Sequence, residues 1–283
     1  MSGRVRSGPV LAFVASLLTA GVAPAGPPAS LAAGGGRTVR PGTLVRWAGE
    51  RIEACALGAR RFAPVADACL YPVDLLHPAG PLTLLRWRAG RREQASVRVG
   101  RFDYPVQRLT LPPGMVELSQ QDLDRVRREQ AQVAPLWARD GPRLFALPLG
   151  APLDPLPEGG RFGSRRIING QPRSPHGGSD YSVSAGTPVL APADGLVALV
   201  AEHFFGGWSV FLDHGDGLIT MYFHLSRVDV AEGRRLKRGE RLGAVGSTGR
   251  ATGPHLHFGV RWRGARVDPS FLLGEPGRIP ALD

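Results

Sequence analysis

The 283-residue chain has little cysteine: Cys55 and Cys69 are its only two. They lack CxxC spacing and stand far from the histidine-rich part of the chain, so they are not counted as metal ligands. A phosphate loop is also missing. Gly246 to Gly253 is glycine-rich, but it has no Gly-Lys-Ser/Thr ending, and Pro254 stands where a helix should start. Those glycines suit a tight approach of backbone to a cleft, with an extended peptide lying against a strand edge. Acidic residues are outnumbered, leaving a formal charge of +11 that is mostly arginine. No recognisable nucleic-acid fold or aromatic-interleaved basic stripe accompanies that charge, so no nucleic-acid partner is expected. Arginine pairs such as Arg60-Arg61, Arg91-Arg92, Arg127-Arg128 and Arg165-Arg166 are scattered. They read as solvated surface, with a general attraction to an acidic matrix.

Long apolar runs are scarce too. Val10 to Ala20 is the longest, and it is too short for a stable membrane span. Arg4 and Arg6 precede it and small residues follow, the pattern of a secretory signal peptide over residues 1–33, cleaved between about 25 and 33. An uncleaved anchor is the alternative. No cysteine follows closely, which argues against a lipoprotein. In an exported chain Cys55 and Cys69 read naturally as a disulfide. It would close a loop of about 14 residues and add roughly 3 kcal/mol. Two buried free thiols are the other reading.

Beyond the leader, residues 38–112 read as a small β-rich domain. Its short apolar runs, such as Leu82 to Trp87 and Ala95 to Val99, are separated by Gly and Pro turns. Residues 113–160 read as a helix and linker. Ser119-Gln-Gln-Asp122 fits a helix N-cap, and Leu123, Val126, Gln130 and Val133 follow at helical spacing, so a helix is predicted from Ser119 to Ala134. Its plain role is to connect or brace its neighbours. Residues 161–275 hold successive strand-like runs, with Asp213-His-Gly-Asp-Gly217 as a hairpin turn. The fold class is mainly β, an antiparallel sheet.

Four of the seven histidines fall in three short segments of this last region: His176-Gly-Gly-Ser-Asp180, Tyr222-Phe-His224 and His255-Leu-His257. Imidazole and carboxylate are usual ligands of zinc, and three of them leave a position for water. Five candidate groups exceed what a site needs, so some are free for chemistry. His255 and His257 alternate on a strand, with Leu256, Phe258 and Val260 turned to the opposite, buried face. His176 and Asp180 are four apart, but Pro175, Gly177 and Gly178 argue for a loop entering a strand. His224 ends an apolar run. Each signal alone has a bland explanation; only their joint occurrence points to one metal pocket. His77, His203 and His214 read as ordinary structural histidines, the last two with the option of lining the pocket rim.

At these residues the chain resembles the lysostaphin-type (LytM-like) zinc peptidases, which cleave peptide bonds in bacterial peptidoglycan. The resemblance runs from about Arg161 to Leu273. It takes in the HxxxD, Tyr222-x-His224-Leu225 and the HxH, with Ala193-Asp-Gly, Gly246-Ser-Thr-Gly and Val267-Asp-Pro between and after them in order. It implies one Zn2+ per chain held by His176, Asp180 and His257, with His224 and His255 as catalytic, non-ligand histidines. It also implies peptidoglycan cross-link peptides as substrate and a periplasmic or envelope location. Ser179 and Tyr181 replace residues that are often aliphatic in relatives. Some relatives lack ligands and instead regulate other wall hydrolases; here the ligand set is complete. Cleavage of a proteinaceous substrate is a further alternative.

Overall fold

The computed structural model describes residues 36–274 and 278–282. The expected signal peptide lies outside the described residues. Among them, no helix is long and apolar enough to cross a membrane.

The largest sheet is antiparallel. Its strands run in the order Gly178–Tyr181, Leu256–Trp262, Leu218–Val228, Gly207–Asp213, Gly195–His203 and Arg235–Leu236. Arg241–Val245 also pairs with Leu218–Val228, and Pro188–Leu190 pairs with it in turn. The period of two explains which face is core. Leu256, Phe258, Val260 and Trp262 are fully buried, and they pack with Leu218, Tyr222, Val210 and Leu212. The intervening positions of the same strand face a cleft. Asp213 to Gly217 makes the tight reversal, with Gly215, Asp216 and Gly217 all at positive φ. Glycine adopts that conformation at no steric cost, and Asp is among the residues that tolerate it best.

The amino-terminal strands form a second core around Val45, Trp47, Tyr71, Leu84 and Val97. Cys55 and Cys69 are joined by a disulfide there. It links strand Ile52–Leu57 of a five-stranded sheet to strand Ala68–Pro72 of a three-stranded one. Ala281–Leu282, near the carboxyl end, runs parallel to Leu44–Ala48 in that smaller sheet.

Strand Val106–Leu109 pairs in parallel with Arg165–Ile168, which brings the chain on either side of the helix together. The helix spans Gln120–Val133, and the Ser119 hydroxyl caps it by accepting from the Asp122 N–H at 3.1 Å, as the spacing predicts. Pro135 does not release the chain into a loop; Ala134–Ala138 continues as a 3-10 turn. Leu136 then packs with Leu199, Phe211, Ile219 and Met221 on the cleft side of the large sheet. Further on, Phe145, Leu149 and Leu153 enter the main core.

A charged junction ties these parts together. The buried Asp216 carboxylate accepts from Arg143 at 2.9 Å and from Arg263 at 2.8 Å. Arg263 also donates to the Leu70 carbonyl and lies 3.7 Å from the centre of the Phe62 ring.

Candidate metal centre

Three strand segments and two loops build the site. In the ladder between Gly178–Tyr181 and Leu256–Trp262, Asp180 stands directly opposite His257. Residues opposite each other in an antiparallel pair project to the same face. His176 arrives from the loop before the first of these strands. His176 Nε2, Asp180 Oδ1 and His257 Nδ1 form a triangle, with sides of 2.9 Å from the carboxylate oxygen to each nitrogen and 2.8 Å between the nitrogens. Three electron-pair donors converging on a point in a largely buried site fit a divalent cation, and two imidazoles with one carboxylate are the donor set of a catalytic zinc site. Burial alone would raise the Asp180 carboxyl, but its contacts with His176 and His257 hold it well below the usual carboxylate range. Burial pushes His257 down to about 4. Both side chains therefore stand ready as ligands at neutral pH.

The surroundings orient each ring. The His176 Nδ1–H donates to the Arg161 carbonyl at 2.9 Å, which leaves Nε2 bare for a cation. Phe223 stacks parallel to His257 with ring centres 5.2 Å apart. Gly178 leaves room for the same ring: a Cβ there would stand 2.7 Å from His257 Nε2 and 2.6 Å from the Phe258 carbonyl oxygen.

His224 and His255 face each other beside the triangle, with ring centres 4.7 Å apart. His255 immediately precedes its strand and pairs with Gly246 as a single bridge. Its Nδ1–H donates to the Gly253 carbonyl at 2.8 Å, and its Nε2 lies 3.9 Å from Asp180 Oδ1. His224 sits inside the long strand at φ 65°, where the ladder shifts register on both sides. An imidazole in that conformation is uncommon, and such departures gather at functional sites. Its Nδ1–H donates to the Thr248 carbonyl at 2.8 Å. Gly207 and Gly249, both at positive φ, let the Thr248 loop pack against the turn before Gly207–Asp213, where side chains on either would collide. Burial pushes His224 down to about 3, so it is neutral at pH 7.

All five side chains predicted for the site thus come together: Asp180, His224, His255 and His257 line a cleft of about 680 Å³, and His176 lies fully buried against them. Of the remaining histidines, His203 also lines the cleft, and its buried Nε2 has no hydrogen-bond partner among the described residues. His214 does not; it is wholly buried, bonded to the Asp194 carbonyl and the Thr220 hydroxyl. His77 is a loop residue whose ring contacts the Pro78 carbonyl. The helix Gln120–Val133 forms one cleft wall through Val126, Glu129, Gln130 and Val133. The Glu129 carboxylate accepts from the Phe204 N–H at 2.9 Å and holds the helix to the sheet. Arg166 departs from the solvated-surface reading of the arginine pairs. It lines the cleft, with its Nη2 3.8 Å from Asp180 Oδ2. Helical spacing marked Val126, Gln130 and Val133 as one stripe without revealing the surface it meets, nothing in the pattern marked Arg166, and the partners that orient the imidazoles are main-chain carbonyls, invisible in a list of side chains.

A mainly antiparallel β domain that gathers two imidazoles and a carboxylate at a cleft, with two further imidazoles beside them, defines a metallopeptidase-like centre. The model of peptidase family M23 matches residues 174–269. A crystal structure from Pseudomonas aeruginosa, described as a peptidase M23, superposes with a TM-score of 0.63 at 32% identity, covering 83% of this chain and 94% of that one. The chain belongs to peptidase family M23. It is 42% identical over 95 residues to the peptidoglycan DD-endopeptidase ShyA of Vibrio cholerae, covering 34% of this chain and 22% of ShyA. It is 46% identical over 94 residues to the DD-carboxypeptidase/endopeptidase Mpg of Neisseria meningitidis, covering 33% of this chain and 22% of Mpg. The match therefore spans about a fifth of the length of these curated relatives.

Proposed function

We propose that this protein is a zinc metalloendopeptidase that hydrolyses peptide cross-links of bacterial peptidoglycan in the cell envelope. The observation that carries the reading is the convergence of His176, Asp180 and His257 beside the facing pair His224 and His255. The names of the relatives above support the substrate class. His176, Asp180 and His257 would hold one zinc ion per chain. Bound there, zinc supplies Lewis-acid polarisation of the peptide carbonyl and acidifies the attacking water.

The remaining steps belong to the chain's own groups. With Nδ1–H committed to the Gly253 carbonyl, Nε2 is the His255 nitrogen left to act as a base in the cleft. That nitrogen takes the proton of the attacking water and later delivers it to the leaving amine. His224 is tied in the same way through Thr248, so its neutral form has no N–H to give at Nε2. It stabilises the oxyanion only as imidazolium. Burial disfavours that form in the free protein; His224 takes the second proton from solvent water as negative charge develops on the carbonyl oxygen.

Export to the periplasm, by the leader over residues 1–33, completes the proposal. Completeness of the ligand set weighs against a purely regulatory, non-catalytic role. The deciding experiment measures zinc content and muropeptide release from purified peptidoglycan on the same mature protein. About one zinc per chain together with conversion of cross-linked dimers to monomers supports the reading. Zinc with no release from walls, but cleavage of a glycine-rich protein, would move the substrate to protein. Absence of zinc would overturn the site.

A further inference from the structure

The cleft carries more positive charge than its carboxylates can neutralise. Arg161, Arg166, Arg250, Arg261 and Arg266 line it, against only Glu129 and Asp180. Both carboxylates are committed, Glu129 to Arg125 and the Phe204 N–H, Asp180 to His176 and His257. Arg266 is paired with Asp74. Arg250 has no carboxylate within ion-pair distance among the described residues, and Arg166 reaches one only at 3.8 Å, the ligand oxygen of Asp180.

The surroundings of Arg250 make this imbalance specific. Its guanidinium lies 4.1 Å from the centre of the Phe205 ring, and one Nη donates to the Met115 carbonyl at 3.3 Å. No other hydrogen bond from its remaining N–H groups is made among the described residues. Burial, and then the charges of Arg166 and Arg173, push the guanidinium down to about 10, still cationic at pH 7. Like charges gathered in a part-buried cleft without counter-charges raise the energy of the free protein. An anion entering the cleft removes that cost. A guanidinium stacked on an aromatic ring has few orientations left, so little freedom is lost when it grips a planar carboxylate with two parallel bonds.

We propose that Arg250, with Arg166 in the same cleft, forms a carboxylate subsite that binds a free carboxylate on a residue flanking the scissile bond. The site thereby selects acidic cross-link peptides over their amidated forms. This rests on the peptidase reading of the same cleft and names the substrate feature it selects. Arg250 is the residue to vary, because it does not touch the metal triangle, whereas Arg166 approaches Asp180.

The test uses the zinc-loaded full chain and two synthetic cross-linked peptides, identical except that the carboxylate next to the scissile bond is free in one and amidated in the other. Wild type should cleave the acid with a kcat/KM at least ten-fold above the amide, the difference lying mainly in KM. Arg250→Gln should collapse that ratio to about one at unchanged zinc content, and Arg250→Lys should restore part of it. Equal cleavage of acid and amide by wild type would overturn the subsite, as would a ratio that survives in Arg250→Gln. If wild type cleaves neither peptide, the peptidase reading fails on this substrate class, and the subsite is decided by calorimetric binding of the same two peptides. A ten-fold preference for the acid, lost in Arg250→Gln, sustains it; equal binding sinks it.

Discussion

At the scale of single residues, the proposed site separates groups assigned to hold a cation from groups assigned to move a proton. Asp180 and His257 are two corners of one triangle, so removing either leaves two donors. Asp180→Ala and His257→Ala should each lose bound zinc and activity together. His255 is tied to the Gly253 carbonyl and stands outside the triangle. His255→Ala should keep its zinc while kcat drops by about 10²–10⁴-fold, the usual worth of a positioned general base. Zinc content measured beside rate separates the two cases, and a normal rate in His255→Ala would refute the assigned base. His214 makes a different prediction, on stability. Burial lowers it to about 4, while an unfolded chain protonates histidine near 6.5. Between those values the unfolded state binds more protons, so stability rises with pH across the window. The His214 contribution is complete above pH 6.5 and is lost as pH falls through about 4, roughly 3 kcal/mol in all. Urea unfolding of the metal-free protein should show this acid limb, and His214→Gln should make it shallower.

At the scale of elements, the ladder between Gly178–Tyr181 and Leu256–Trp262 is what sets Asp180 beside His257, the two residues proposed as a ligand pair. The glycine that opens the first strand is part of the device, since a side chain at Gly178 would press on the His257 ring and on the Phe258 carbonyl of the partner strand. Gly178→Ala should weaken zinc binding by about 10–100-fold, the range seen when groups that orient ligands are disturbed. Competition with a chelating dye would read the change, and unaltered affinity would show that the ring has room to shift. The helix was expected to connect or brace. Its cap and length follow the residue pattern, yet its buried side lines the metal cleft through Val126 and Val133. Spacing alone reveals that a helix has an apolar stripe; it does not reveal which surface the stripe meets.

At the scale of the molecule, one buried carboxylate ties three parts of the chain together. Asp216 accepts from Arg143, before the metal-binding region, and from Arg263, whose guanidinium reaches the amino-terminal strands at Leu70 and Phe62. Removing the acid would leave two guanidinium groups in a largely buried junction without their counter-charge. Asp216→Ala should cost about 3–5 kcal/mol. A change within 0.5 kcal/mol in denaturant unfolding would show that solvent replaces the carboxylate. The disulfide adds a covalent link between two sheets of the amino-terminal strands, at the two cysteines the sequence reading paired.

What the sequence determined by itself is everything carried by residue type and local period. The alternation around His255 and His257 set the strand and its buried face; Ser119 and the spacing after it set the helix; Asp213 to Gly217 set the hairpin. The five candidate residues that come together were legible because side chains able to bind metals are rare and three short segments concentrated them. Tertiary structure decided what depends on distant segments meeting. It chose Arg161, Thr248 and Gly253 to orient the imidazoles through their carbonyls, which every residue type possesses. It carried Arg166 and Arg250 into the cleft, although in the sequence they look like any of the chain's other arginines. It made a helix with an unremarked partner into a wall of the site. Local sequence specifies conformation over a few residues, whereas a cleft is made by chain folding back on itself, and its charge and walls exist only once that has happened.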